Sequence, residues 1–228
     1  MPRAILFDFD GTLADTIPAI TEGINLTMRA YGFPTHTEEE VRSYINNGPR
    51  KLIQRALPKD LQSDEALLDR VLADYNVLYA DVCEHTDRPY DGILALLRTL
   101  RSRGYKIGVL SNKQDHLLRK IAEGILPDGL YDTILGTVPN KPTKPDPAMT
   151  LQIARALDAR PEDCIIVGDS DVDVKTAKAA NMMHVGVSWG YRDEAFLREN
   201  GAVDVANTPE ELLTMIEKLM QERISQHD

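Results

Sequence analysis

The chain has 228 residues, 43% of them hydrophobic and 27% charged, which suits a globular protein of one large or two modest domains. A formal net charge of −10 removes the basic footprint of a nucleic-acid binder and any attraction to an anionic membrane. No apolar run approaches membrane-spanning length, no basic and apolar leader precedes the first strand, and Cys83 and Cys164 lack metal-like spacing, so a cytoplasmic protein with reduced thiols is expected.

Residues 4–7 read as a buried strand that runs into Asp8-Phe9-Asp10-Gly11-Thr12. Thr16 followed by Pro18 marks a helix start, and apolar positions at Ile20, Ile24 and Met28 carry that helix to Gly32. Thr37 and Glu40 form a capping-box signature ahead of Val41, Tyr44 and Ile45, and helical patterns recur over residues 52–57 and 67–83. No strand pattern interrupts them. Residues 16–88 are therefore expected to form an all-helical cap, with residues 1–15 and 89–228 forming an α/β core and the crossings near 15–18 and 86–92 serving as hinges. Beyond Pro89 the pattern alternates: helix 93–101, a stop at Gly104, strand 106–112, a helix from Asp115, a short strand 131–136, the Pro-rich loop 139–147, helix 148–157, strand 164–169, then a further helix and a strand ending near Trp189. The expected fold is a doubly wound parallel sheet of Rossmann-like type, with a small helical cap inserted after the first strand.

Polar residues gather at four strand ends or the loops just after them: Asp8 and Asp10, Ser111 and Asn112, Lys144, then Asp169 and Asp173. In an open parallel sheet this rim is where ligands bind. Side chains two apart on a strand start on one face, so Asp8 and Asp10 can converge on one ion. The oxygen-only trio of Asp8, Asp10 and Asp169 suits Mg2+, whereas zinc would select His or Cys, and the five histidines show no ligand spacing. Ser111 with nearby backbone N–H groups, and Lys144 as a compact positive charge, suit the oxygens of a phosphoryl group. Asp8 is then the natural nucleophile, forming an acyl phosphate that water cleaves. Asp10 would protonate the leaving oxygen and later deprotonate the water. Asp173 equally suits an N-cap for the helix that follows. In the cap, Asn47, Gly48 and Arg50 are candidates to grip a substrate carboxylate, with a solvated surface as the alternative for Arg50.

As an ordered set, Asp8-Phe9-Asp10-Gly11-Thr12, Ser111-Asn112, Lys144-Pro145 and Gly168-Asp169-Ser170-Asp171-Val172-Asp173 resemble the motifs of the haloacid dehalogenase-like phosphohydrolases. The resemblance covers essentially the whole chain. It implies Asp8 as nucleophile and metal ligand, Asp10 as acid/base and carbonyl ligand, Asp169 as metal ligand, Asp173 as support behind them, Ser111, Asn112 and Lys144 on phosphate, and a mobile cap. Lys144-Pro145-Asp146-Pro147 and Val187-Ser188-Trp189-Gly190-Tyr191-Arg192 look like the phosphoglycolate phosphatase branch, which implies a small phosphate ester such as 2-phosphoglycolate as partner. One departure is Asn46-Asn47-Gly48-Pro49-Arg50, where such phosphatases more often carry a Gly-x-Gly turn. A phosphosugar mutase is the alternative within enzymes. A phospho-acceptor signalling module is the alternative outside them, disfavoured because its acceptor would lie on a later strand and no helical insert would be present.

Overall fold

In the computed structural model, residues 3–45 and 48–225 are described, the side chains of residues 84–86 and 224 excepted. Two compact units divide the chain, Met1–Ala14 with Pro89–Asp228, and Asp15–Arg88. The crossings run through two short strands, β2 (Ala14–Asp15) and β3 (Arg88–Pro89), which pair as a two-stranded sheet.

The smaller unit is helical: α1 (Ile17–Ala30), α2 (Glu38–Tyr44), α3 (Gly48–Ala56) and α4 (Glu65–Thr86). Pro18 occupies the first turn of α1, where the missing N–H costs nothing, and Thr37 and Glu40 close the expected capping box on α2. Asp64 caps α4 by accepting from the Leu67 N–H at 2.9 Å. Ile24 and Met28 of α1 are buried, as are Leu68, Val71, Tyr75 and Tyr79 of α4. The pattern 24, 28 against 68, 71, 75, 79 is the apolar stripe of two helices packed lengthwise.

The larger unit continues with β1 (Ala4–Phe7), α5 (Ile93–Ser102), β4 (Lys106–Gln114), α6 (Asp115–Ile125), β5 (Thr133–Thr137), α7 (Ala148–Ala156), β6 (Cys164–Gly168), α8 (Asp171–Ala180), β7 (Met183–Val187), α9 (Glu194–Glu199), β8 (Asp204–Ala206) and α10 (Pro209–Ser225). Its strands form one parallel sheet in the order β5-β4-β1-β6-β7-β8. The four residues of β1 are buried on both faces, as a central parallel strand requires. Leu6, Leu110 and Ile166 pack on one face against Met149, Ile153, Ala177 and Ala180 of α7 and α8. α5 packs on β4, α6 on β4 and β5, and α10 on β7 and β8, and α5 and α10 touch each other. α9, β8 and α10 lie past the final elements read from the sequence.

His184 of β7 is the least comfortable polar residue of this core. Neither ring nitrogen has a hydrogen-bond partner, and burial pushes its pKa down to about 4, against the smaller upward pull of Asp173 and Asp204. A base depressed on folding leaves its stability contribution intact above about pH 6.5 and loses it as pH falls toward 4, because the unfolded chain then binds the extra proton. Urea unfolding of the wild type should therefore lose on the order of 2–3 kcal/mol more than His184→Leu between pH 7 and 4.5. Parallel pH dependences would contradict this.

Candidate active site

Each polar residue at the sheet rim is delivered by a short piece of backbone. Asp8 follows β1 directly and keeps its register, its N–H donating to the Val167 carbonyl at 2.8 Å. The chain then turns tightly, with the N–H groups of Leu13 and Ala14 both donating to the Phe9 carbonyl at 3.0 Å. That turn places Gly11 and Thr12 against Asp169 of the neighbouring strand end. Gly11 has φ +79°, and a Cβ there would stand 2.4 Å from Asp169 Oδ2; a Cβ on Gly190 would stand 2.2 Å from the Gly11 carbonyl oxygen. Two glycines thus let both loops close on one carboxylate. Thr12 Oγ1 donates to Asp169 Oδ1 at 3.2 Å and the Tyr191 N–H donates to Oδ2 at 2.6 Å, while Trp189 Nε1 ties the loops together by donating to the Thr12 carbonyl at 3.1 Å.

Lys144 comes from the Pro-rich loop, and its side chain is only 3% exposed. Its Nζ lies 2.9 Å from Asp8 Oδ1 and 2.7 Å from Asp173 Oδ1. The loop is held there by Asn112, whose Oδ1 accepts from the Lys144 N–H at 2.8 Å and whose Nδ2 donates to the Lys144 carbonyl at 3.0 Å. Both ends of the Asn112 amide are therefore spent on positioning Lys144. The other oxygen of Asp173 accepts from Ser170 Oγ at 2.6 Å and from the Ser170 N–H at 3.2 Å. Asp173 is thus the third residue of α8 and partner of its N-cap Ser170, not the N-cap itself.

Electrostatically the cluster is short of positive charge. Asp8, Asp169 and Asp173 present carboxylate oxygens within 4.8 Å of one another, all three residues buried. Burial pushes Asp8 well above the ordinary carboxylate range; Lys144 pulls it down, and Asp173 and Asp169 push it further up. Burial, with Asp173 beside it, raises Asp169 to about 7. Lys144 resists its own burial because Asp173 and Asp8 hold it above the ordinary lysine value. An all-oxygen donor set that binds protons this reluctantly lost fits a hard divalent cation.

Asp10 faces elsewhere. Its Oδ1 lies 2.6 Å from Lys113 Nζ, and its Oδ2 accepts from Ser111 Oγ at 3.2 Å. The structure brings carboxylate oxygens of Asp8, Asp169 and Asp173 together, while the Asp10 carboxylate pairs with Lys113. Lys113 was invisible in the sequence as a site residue. It lies where β4 gains two residues against β5 between Leu110 and Gln114.

Of the cap candidates, Asn47 and its neighbour Asn46 lie outside the described residues. Gly48 opens α3 with φ +84°. The Arg50 guanidinium pairs with Glu65 and Asp69 of α4, a contact within the cap.

Residues 5–187 match the family model of haloacid dehalogenase-like hydrolases. The chain belongs to that family. Among curated relatives it is similar to phosphoglycolate phosphatase 1 of Pseudomonas aeruginosa, with 31% identity over 93% of this chain and 79% of the relative. It is also similar to the phosphoglycolate phosphatase of Nitrosococcus oceani, with 32% identity over 87% of this chain and 89% of the relative. A crystal structure from Lactobacillus delbrueckii subsp. bulgaricus, provisionally named a phosphoglycolate phosphatase, superposes with a TM-score of 0.87 at 29% identity, covering 94% of this chain and 98% of that one. The protein is a phosphatase of the haloacid dehalogenase-like family, and its helical unit is the cap that this family carries. Among the described residues, no helix is long and apolar enough to cross a membrane.

Proposed function

We propose that this phosphatase is a Mg2+-dependent phosphomonoesterase that works through an aspartyl phosphate on Asp8 and acts on 2-phosphoglycolate. The observation that carries the reading is the buried Lys144 ammonium 2.9 Å from Asp8 Oδ1, which steadies one carboxylate oxygen where a phosphoryl group would arrive. Asp8 and Asp169, with the backbone carbonyl of Asp10, would hold Mg2+, which when bound offsets the carboxylate charge and favours phosphate oxygens. Asp8 attacks phosphorus and the ester P–O bond breaks. Asp10 delivers its proton to the departing oxygen, then takes one from the water that attacks the same phosphorus, returning Asp8 and releasing phosphate. Lys144 and the N–H groups after Ser111 stabilise the transferring group, Asn112 and Asp173 keep Lys144 in place, and the Tyr191 N–H and Thr12 hydroxyl fix Asp169.

The substrate reading draws on the relatives named above and on the small size of 2-phosphoglycolate. A cytoplasmic, reducing setting fits the two buried free thiols, Cys83 and Cys164.

Purified protein assayed with Mg2+ on a panel of phosphate monoesters tests the reading. The expected kcat/KM for 2-phosphoglycolate exceeds that for ethyl phosphate, which lacks the carboxylate, by at least about tenfold, the worth of one charged hydrogen bond. A sugar phosphate far ahead of both would overturn the substrate. Failure to hydrolyse any monoester would overturn the mechanism as well.

A further inference from the structure

We propose that Lys113 is the specificity residue that receives the carboxylate of the substrate. This assignment rests on the 2-phosphoglycolate reading and names the group of the core that would carry it out. Lys113 Nζ lies 2.6 Å from Asp10 Oδ1, and its side chain is only 7% exposed. The neighbouring backbone is fixed, since the Lys113 N–H donates to Ser111 Oγ at 3.1 Å while that hydroxyl donates to Asp10 Oδ2 at 3.2 Å. The ammonium also lies 5.9 Å from the Phe9 ring centroid.

The geometry says which ligand. Asp10 must come within hydrogen-bond reach of the ester oxygen that leaves. In 2-phosphoglycolate one methylene separates that oxygen from the carboxylate carbon, so the carboxylate oxygens lie roughly 3 Å from it by ordinary bond lengths. A cation 2.6 Å from the Asp10 carboxylate is therefore a neighbour of the substrate carboxylate. Lys144 bridges Asp8 and Asp173 on the nucleophile side of the site, and Arg50 pairs with Glu65 and Asp69 inside the helical unit. The site thus carries two buried ammoniums with separate tasks, Lys144 beside the nucleophile and Lys113 beside the leaving group. The substrate class is a small phosphate monoester with a carboxylate one carbon from the ester oxygen.

The test compares kcat/KM for 2-phosphoglycolate and ethyl phosphate in the wild type, Lys113→Met and Lys113→Arg, at fixed Mg2+ and pH. Loss of Asp10 orientation would slow both substrates and cancel in the ratio. The expected result is a fall of at least tenfold in the ratio for Lys113→Met, chiefly as a raised KM for 2-phosphoglycolate, with Lys113→Arg recovering much of it. Thermal midpoints establish that the variants fold, and Lys113→Gln replaces Lys113→Met if the latter does not. A wild type with no preference for 2-phosphoglycolate overturns the substrate reading and this assignment with it. A preference that survives in the folded Met or Gln variant overturns the assignment alone.

Discussion

Asp8→Asn is expected to lower phosphate ester turnover by at least ~10^4-fold, the scale on which loss of a covalent nucleophile is felt. The amide is isosteric but neither attacks phosphorus nor contributes charge to a cation. The same substitution should leave the thermal midpoint in chelator unchanged or raised near pH 7.5. Burial together with Asp173 and Asp169 makes the ionised Asp8 carboxylate unfavourable despite Lys144, and the neutral amide removes that cost. Adding Mg2+ should raise the wild-type midpoint clearly and that of Asp8→Asn much less. Aryl phosphate turnover with calorimetry in both conditions reads the two effects, and mass spectrometry excludes deamidation of the new Asn. Turnover within about tenfold of wild type in the intact variant would remove Asp8 from the mechanism.

Lys144→Met should be costly in both activity and stability. Removing one partner of a buried ion pair leaves uncompensated charge, worth about 3–5 kcal/mol, and here two carboxylates, Asp8 and Asp173, lose the same ammonium. The loss should depend on pH. A carboxylate whose pKa rises on folding contributes stability below its ordinary pKa that disappears as pH climbs through the raised value, so the variant in chelator should regain stability as pH drops from 8 toward 5. Lys144→Met combined with Asp8→Asn should be more stable than the sum of the single effects, because one of the stranded charges is gone. Additive losses, or an equal deficit at pH 5 and 8, would mean that Lys144 acts through packing of its loop.

Much of this architecture was legible because the chain repeats a simple rhythm. Ala4 to Phe7 lies in the middle of the sheet and is buried on both faces, so it reads as an uninterrupted apolar run; Thr37 with Glu40, and Pro18, punctuate the cap helices in the sequence itself. Asp8 and Asp169 stood out as carboxylates directly following buried apolar strands, with Asp173 and Lys144 in the segments just beyond strand ends. What stayed hidden depends on contacts between distant segments. Lys113 carries no signal of its own in the sequence, and only the fold sets its ammonium 2.6 Å from Asp10. Asn112 reads as a phosphate donor until the Pro-rich loop returns and takes both ends of its amide. The backbone N–H of Tyr191 carries no sequence signal at all. β8 is a three-residue edge strand, too short for any periodicity to register.

The position of β1 also shapes how the molecule is made. This first strand pairs Ala4 with Lys106 on one side and with Cys164 on the other, so both neighbours emerge from the ribosome long after it. The helical unit, by contrast, is one continuous stretch, Asp15–Arg88, whose contacts close locally. Synthesis from the N-terminus therefore favours a nascent chain in which the cap is already structured while Ile5, Leu6 and Phe7 wait with apolar side chains and unpaired backbone groups exposed. That interval is when the chain is most open to association with other copies or to capture by chaperones. It ends only when Cys164–Gly168 arrives to complete the centre of the sheet.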